Sequence, residues 1–258
     1  MHAVAWICGA LLAVSFFALG FAACAASSTT RMLSTINSDF TTSPYGHDQL
    51  IEAAVATRDY TVDGISRKDL ATTIVNAARI SANEAEGSKA IAWNKVAAQT
   101  DLFDESADVT HVMSALAKDE RFALDDEALS HLDDCYRLIS GCVPWLIAFA
   151  LIAAALAVLL AARGQRVVLS RVLICAPLAL GCFMIICGMW AAVDFDGLFG
   201  IFHAILFPQG NWTFSADSLL ICMYPLDFWV SMGAIWLACT LIACIIAFAI
   251  GWRLKKSA

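Results

Sequence analysis

Residues 143–162 read VPWLIAFALIAAALAVLLAA, twenty consecutive residues without a charge. A helix rises 1.5 Å per residue, so this stretch is about 30 Å long, the thickness of a bilayer's hydrocarbon core. Three more stretches pass the same test, at 3–26, 172–193 and 228–252. Pro177 falls near the start of the third span, where neighbouring helices can satisfy the carbonyl it frees. The composition agrees. Of 258 residues, 60% are hydrophobic and 15% charged, with a mean hydropathy of +0.72. Soluble domains run at about 45–50% apolar and about 25% charged. These figures rule out a disordered chain and speak against a single soluble globule. The formal charge of −7 argues against a nucleic-acid partner.

The charges are placed unevenly. Residues 3–30 carry none, residues 31–142 carry ten basic and nineteen acidic side chains, and the rest of the chain only six and four. One polar block therefore lies between apolar territories. Lys and Arg next to the spans set the orientation. Arg163, Arg166 and Arg171 occupy the short link 163–171, and Arg253, Lys255 and Lys256 the tail 253–258, both without an acid. These segments, and with them both termini, are expected in the cytoplasm. Residues 27–142 and the loop 194–227, whose charges are Asp194, Asp196, Asp217 and Asp227, are expected outside. Trp145, Trp190 and Trp229 suit an outer aromatic belt, and Trp6 and Trp252 an inner one. Span one is expected to remain as an anchor: Met1-His2 lacks the cationic start of a signal peptide, and the apolar run is long for one.

The fold expected is an all-α membrane protein of four transmembrane helices. A helical extracytoplasmic segment joins helices 1 and 2, and an interfacial loop joins helices 3 and 4. In the extracytoplasmic segment, Ser66 and Asp69 suggest a capping box, and Leu70, Ile74, Ala77 and Ala78 follow on one face. Ser81 and Glu84 repeat the start signal. Asp125, Asp126 and Glu127 open a further helix, which is expected to reach about Ser140 and bend at Gly141 and Pro144. Bulky apolar residues are sparse between Ser81 and Asp108, so the segment is expected to own no large core. Seven of the ten cysteines fall in spans, where they act as small hydrophobes. Cys135 and Cys142 stand two helical turns apart, about 10 Å, too far for a bridge; Cys222 is left open as a partner for either. No cysteine spacing suits a metal, and no metal or cofactor is expected.

Two histidines hold the chemical interest. His131 stands on the helix before span two, off the apolar stripe of Leu129, Leu132, Tyr136 and Ile139. Asp134 lies about one turn on, where a carboxylate can orient an imidazole. His203 sits within the apolar run 195–207, which is too short to span and suits the membrane interface. An ionisable group at that depth is a functional candidate. Each also has an ordinary reading, as a solvated surface histidine or one reaching for headgroups. Pro208, Gly210 and Asn211 mark a turn, Trp212 an anchor, and Asp217 either a cap or a partner for a catalytic group. His47 and His111 read as surface residues. No G-x-S-x-G, H-E-x-x-H or P-loop occurs, and the spans hold no acid or base for ion-coupled transport.

Several motifs together resemble the lipoprotein intramolecular transacylases (Lit) of Gram-positive bacteria. They are Thr57-Arg58-Asp59-Tyr60, Leu129-Ser-His131-Leu-Asp-Asp134, Phe199-x-x-Phe-His203, Phe207, Gly210-Asn211-Trp212, Asp217-x-Leu-Leu-Ile221 and Tyr224-Pro-x-x-Phe-Trp229. The resemblance covers roughly residues 43–229. It implies an enzyme that moves one acyl chain from the diacylglyceryl group of a bacterial lipoprotein to the α-amine of its N-terminal cysteine. The product is a lyso-form N-acyl lipoprotein. It also implies that His131 and His203 are the catalytic pair, with lipidated lipoproteins and membrane lipids as partners. The chemistry is self-consistent. An α-ammonium near pKa 7.7–8.0 must lose a proton before attacking an ester, and an imidazole near 6.5 can take it and return it to the leaving alkoxide. Donor and acceptor belong to one molecule, so no acyl-enzyme is required. His203 is the preferred base and acid, with His131 orienting the amine, sharing the proton or stabilising the oxyanion; the reverse assignment is also open. Asp134, Asp217 and Trp212 are supporting candidates. The alternative is a non-enzymatic membrane protein that binds a ligand or partner.

Overall fold

The computed structural model describes residues 2–256. Ser257 and Ala258, the end of the expected cytoplasmic tail, lie outside the described residues. The chain is 79% helical, and no strand occurs among the described residues. Among the described residues eleven helices follow in order: α1 His2–Ala25, α2 Ser27–Asn37, α3 His47–Val62, α4 Arg67–Glu84, α5 Gly87–Ala97, α6 Val109–Leu116, α7 Asp126–Ala162, α8 Arg166–Val193, α9 Phe195–Leu206, α10 Leu219–Met223 and α11 Leu226–Lys256. Four of them, α1, α7, α8 and α11, are long and apolar enough to cross a membrane. The protein is thus an all-α, multi-pass membrane protein. Two compact units divide the described residues: 2–24, 140–199 and 232–256 form a membrane unit, and 25–139 and 200–231 a second, polar unit.

In the membrane unit, the contacts follow from small residues and from the lack of water. Gly20 lets α1 and α11 approach closely, since a Cβ there would lie 2.8 Å from the Trp236 carbonyl oxygen. The Trp236 indole N–H is satisfied by the Phe17 carbonyl at 2.9 Å. At the other end of α1, Cys8 packs with Leu160, Leu169 and Val172, so this cysteine fills space as expected. The turn from α7 to α8 needs only residues 163–165. Gly164 takes φ +68° and the Gln165 N–H returns to the Leu160 carbonyl at 2.9 Å, a helix end that favours glycine. Large apolar side chains such as Trp6, Trp145, Val158 and Val193 stay exposed, as lipid-facing residues do.

The polar unit has a core of its own, contrary to the expectation from its sparse middle. Trp93, from that middle, is fully buried. Its ring meets Tyr45 at 5.3 Å and Phe122 at 4.6 Å, both edge-on. Its N–H donates to the Pro44 carbonyl at 2.9 Å, and the Tyr45 hydroxyl donates to the Phe122 carbonyl at 2.6 Å. Leu50, Leu70, Ile74, Leu102, Leu116 and Leu124 complete this core. One large aromatic side chain thus does what a periodic stripe does elsewhere, and periodicity cannot announce it. The Ser66–Asp69 capping box forms as expected. The second start signal does not: α4 runs on through Ser81, whose buried hydroxyl accepts the Gly46 N–H at 3.0 Å. Nor does a break interrupt α7 at Gly141 and Pro144. A proline removes one backbone hydrogen bond, and α7 continues across it as one helix of 37 residues.

Between α3 and α4, Gly64 adopts φ +73°, and a Cβ there would lie 2.6 Å from the ring of Tyr136. Gly87 also has positive φ, +57°, but faces open space. Gly64→Ala is expected to cost about 2–4 kcal/mol, combining backbone strain with a displaced ring, and Gly87→Ala about 1 kcal/mol. Thermal unfolding of the two purified variants, followed by tryptophan fluorescence, checks the difference.

Candidate active site

His131 lies in the first half of α7 and His203 in the second half of α9, both within the polar unit. Their ring centroids are 6.0 Å apart, and each residue is only 8% exposed. Neither is the solvated histidine of the ordinary reading. Aromatic side chains enclose the pair. Phe207 sets its ring edge-on to His131 at 4.7 Å and lies 5.7 Å from His203. Phe214 approaches His131 at 5.9 Å, while Phe202 and Trp212 approach His203 at 5.4 and 5.2 Å.

Local sequence explains how these groups meet. Pro208 ends α9 after Phe207, and Gly210, at φ +81°, turns the chain so that its N–H reaches the Phe207 carbonyl at 3.1 Å. The chain then runs back along α7. There Asp134 accepts the Gln209 side-chain amide at 2.7 Å and that of Asn211 at 3.0 Å, and Asn211 also donates to Ser130 Oγ at 3.3 Å. Arg137 pairs with the other Asp134 oxygen at 2.8 Å. The amides of Asn211 and Gln209, and the charge of Arg137, hold the Asp134 carboxyl below the usual carboxylate range. Its carboxylate thus ties this loop to α7, and its charge favours the protonated form of His131.

Further along, α10 is fixed to the polar unit. Ser218 caps it, its hydroxyl accepting the Ile221 N–H at 3.3 Å, so the cap is Ser218 and not Asp217. Leu219 N–H reaches the Glu120 carbonyl at 2.8 Å, Asp39 N–H the Cys222 carbonyl at 2.9 Å, and Ser38 Oγ the Met223 carbonyl at 2.9 Å. The Tyr224 hydroxyl donates to the Ala54 carbonyl. Asp217 is exposed, and its charge acts on Arg121 and Cys222. Of the supporting candidates, the fold thus brings Trp212 to His203 and Asp134 to the loop beside His131, and directs Asp217 elsewhere.

The Thr57–Tyr60 motif is scaffolding. Thr57 is buried and bonds the Ala53 carbonyl at 2.8 Å. Arg58 donates to the Ala25 carbonyl at 2.7 Å and pairs with Asp59 at 2.8 Å. Tyr60 donates to Asp133, which Arg67 also holds at 3.0 Å. His47 and His111 are exposed, as expected, with His47 against Asp48 and Phe40. Cys135, Cys142 and Cys222 are free thiols, as are the other seven cysteines.

Burial disfavours the charged imidazole, as does the neighbouring His203, and together they pull His131 down to about 4. Asp134 and Asn211 oppose this shift without cancelling it. Cys135 Sγ lies 3.6 Å from His131 Nε2. Burial, with the nearby Asp134 charge, pushes that thiol up to about 12. A thiolate–imidazolium pair is therefore disfavoured from both sides, and at neutral pH the contact is one between a thiol and a neutral ring. Asn211 and Gln209 are the residues that sequence reading missed. Their turn context, Pro-Gln-Gly-Asn, reads as loop geometry and conceals that both amides converge on one carboxylate.

The family profile described as lipoprotein intramolecular transacylase Lit matches residues 88–229, somewhat more than half the chain, including both histidines. The chain belongs to the Lit family. It is accordingly an acyltransferase of lipoprotein modification, and the non-enzymatic alternative falls away. Its fold is similar to that of the membrane-integral Lit from Bacillus cereus, with a TM-score of 0.58 and 17% identity over 99% of this chain and 96% of that one. Comparison with curated proteins gave no match.

The depressed His131 value carries a stability consequence. Between pH 6.5 and about 4 the unfolded chain binds this proton more readily than the folded one, so stability falls as pH falls through that window and is complete above it. The loss is about 3 kcal/mol over the whole window. Melting temperatures measured from pH 7 to pH 4 are expected to drop more steeply for the native protein than for His131→Gln.

Proposed function

We propose that His131 and His203 together carry out the acyl transfer within the lipidated N-terminus of a bacterial lipoprotein. The observation that supports this best is two imidazoles, 6.0 Å apart and nearly excluded from water, inside an aromatic enclosure. An ester and an amine of one lipid-bearing molecule suit such an enclosure. The amine nitrogen attacks the ester carbonyl, a C–N bond forms, and the glycerol C–O bond breaks. The amine attacks in its neutral form, the ammonium having first released one proton to solvent, and the N–H proton shed from the tetrahedral intermediate leaves on the glycerol oxygen. His203 is the shuttle for that proton. His131 stays uncharged at neutral pH and holds the amine by accepting a hydrogen bond, so the nucleophile's lone pair faces the carbonyl. Low local dielectric strengthens every dipole that meets the developing oxyanion. The product is an N-acyl lipoprotein that retains one ester-linked chain.

In this reading residues 27–142 and 194–227 face outward and both termini face the cytoplasm, as the arginines of 163–171 and the cationic tail direct. A C-terminal fluorescent-protein fusion is expected to glow and a C-terminal alkaline phosphatase fusion to be inactive in a bacterial host. Active phosphatase there would reverse the orientation.

The Cys135 contact favours one other route, attack by the thiol and a thioester intermediate. Its raised thiol pKa argues against that route. The two are separated by mass spectrometry of an N-terminal lipopeptide, which keeps its total mass while one acyl chain moves to the amine fragment. His131→Ala and His203→Ala are each expected to lower product at least about 100-fold, in the range typical of lost acid–base groups. Cys135→Ala is expected to cost no more than a few-fold. A loss at Cys135 matching that of the histidines would replace this mechanism with the covalent one.

A further inference from the structure

Two buried polar atoms in the site have no hydrogen-bond partner: His131 Nδ1 and Asn211 Oδ1. They belong to neighbouring side chains: the Asn211 amide bonds Ser130 Oγ at 3.3 Å and Asp134 Oδ2 at 3.0 Å, on either side of His131 along α7, and Asn211 favours proton binding at His131. Which way the Asn211 amide points is decided by chemistry. An ionised carboxylate only accepts, so the group 3.0 Å from Asp134 Oδ2 must be the amide NH₂. Turning the amide over would set oxygen against oxygen. Gln209, donating to the same Asp134 oxygen at 2.7 Å, obeys the same rule. The Asn211 oxygen is thereby committed to the other side, buried, and able only to accept.

A neutral imidazole carries one N–H and one lone pair. With the proton on Nε2, Nδ1 would be a second buried acceptor near the Asn211 oxygen, and both would stay unsatisfied, at the cost that buried unpaired polar groups incur. With the proton on Nδ1, one hydrogen bond between them can satisfy both. The opposite nitrogen points to the same answer. Nε2 faces the Cys135 thiol at 3.6 Å, a group held protonated and so able to donate weakly to a lone pair.

We infer that Asn211, itself oriented by Asp134, is a positioning residue that fixes His131 with its proton on Nδ1 and leaves Nε2 as the acceptor for the substrate amine. This rests on the role given to His131 above and specifies which ring nitrogen serves it. Asp134 then acts at one remove: carboxylate, amide, imidazole. The Cys135 thiol occupies the acceptor only weakly, and an ammonium N–H is a stronger donor that displaces it. The charged and titratable groups around this ring are Asp134, Cys135 and, beyond Asp134, Arg137 on α7, with His203 on α9. The facing loop contributes the uncharged amides of Asn211 and Gln209.

The test reads the tautomer directly. The full-length protein, labelled with ¹⁵N-histidine and held in detergent micelles, is observed by NMR at pH 7.5, and His131 is assigned by its absence in His131→Gln. A protonated Nδ1 in the native protein, lost or mixed with the other form in Asn211→Leu, bears the inference out. So does Asp134→Asn giving the same mixture, because that change frees the amide to turn without touching the ring. A protonated Nε2 in the native protein overturns it, as does a tautomer unaltered in Asn211→Leu. In turnover, Asn211→Leu is expected to lower kcat about 10- to 100-fold with KM within about 2-fold. A change in KM alone would mean that Asn211 serves substrate binding instead. The NMR result does not depend on turnover, so retained activity in His131→Gln would remove the catalytic reading while the tautomer assignment stood.

Discussion

A carboxylate can accept hydrogen bonds and nothing else, and the site is organised around that limit at Asp134. Two amides from the loop after α9 and one guanidinium from its own helix converge on it. The neighbouring Asp133 does the corresponding work on the other flank of α7, taking Tyr60 from α3 and Arg67 from α4. Consecutive residues of a helix point about 100° apart, so one acidic pair can tie α7 to the early helices on one side and to the loop after α9 on the other. Without Asp134 the loop keeps its turn at Gly210 and the bond from Asn211 to Ser130, but the Gln209 and Asn211 amides lose the acceptor that orients them.

The enclosure thereby built is hostile to charge. Burial and the second imidazole keep His131 neutral, and burial keeps Cys135 a thiol. Hydrolysis is the competing fate of an activated ester, and an apolar enclosure that holds no ready anion disfavours it. The same environment explains why the site resists the Cys–His reading that its 3.6 Å contact suggests. A reactive cysteine needs an electropositive, partly open setting, and this one stands beside an acid in an aromatic wall.

How far the sequence could foretell this depends on which physical signal each part emits. The four long helices emit a composition signal twenty residues wide, and the capping box at Ser66 emits a local one; both are legible. His131 and His203 stand out because ionisable groups are rare where they sit. The polar unit's core is not legible, because its central piece, Trp93, is one residue whose burial depends on Tyr45 and Phe122, distant in sequence. Ser81 reads as a cap because Ser-x-x-Glu is a local pattern, whereas its buried hydroxyl serves Gly46, thirty-five residues away. The continuity of α7 through Pro144 depends on the rest of a 37-residue helix outweighing one missing bond. Asn211 and Gln209 were hidden for a related reason. Turn-forming residues announce the turn, and what their side chains bind is decided by the helix across from them.

This division has a chemical logic. A transfer between two parts of one lipid-bearing molecule needs no group that the enzyme must itself acylate. It needs the amine's lone pair and the ester carbonyl held in line while one proton moves. Such a task falls on orientation: the direction of a ring nitrogen, the face of an amide, the register of a loop. Orientation is set by pairings across the fold, which is why the pair of histidines is visible in the sequence and the apparatus that aims them is not. Residues away from the imidazoles share in this: Thr57 bonds Met223 of α10, Tyr60 bonds Asp133 of α7, and Tyr224 bonds the Ala54 carbonyl of α3. An error of 1 Å in those contacts would be an error of 1 Å at the ring.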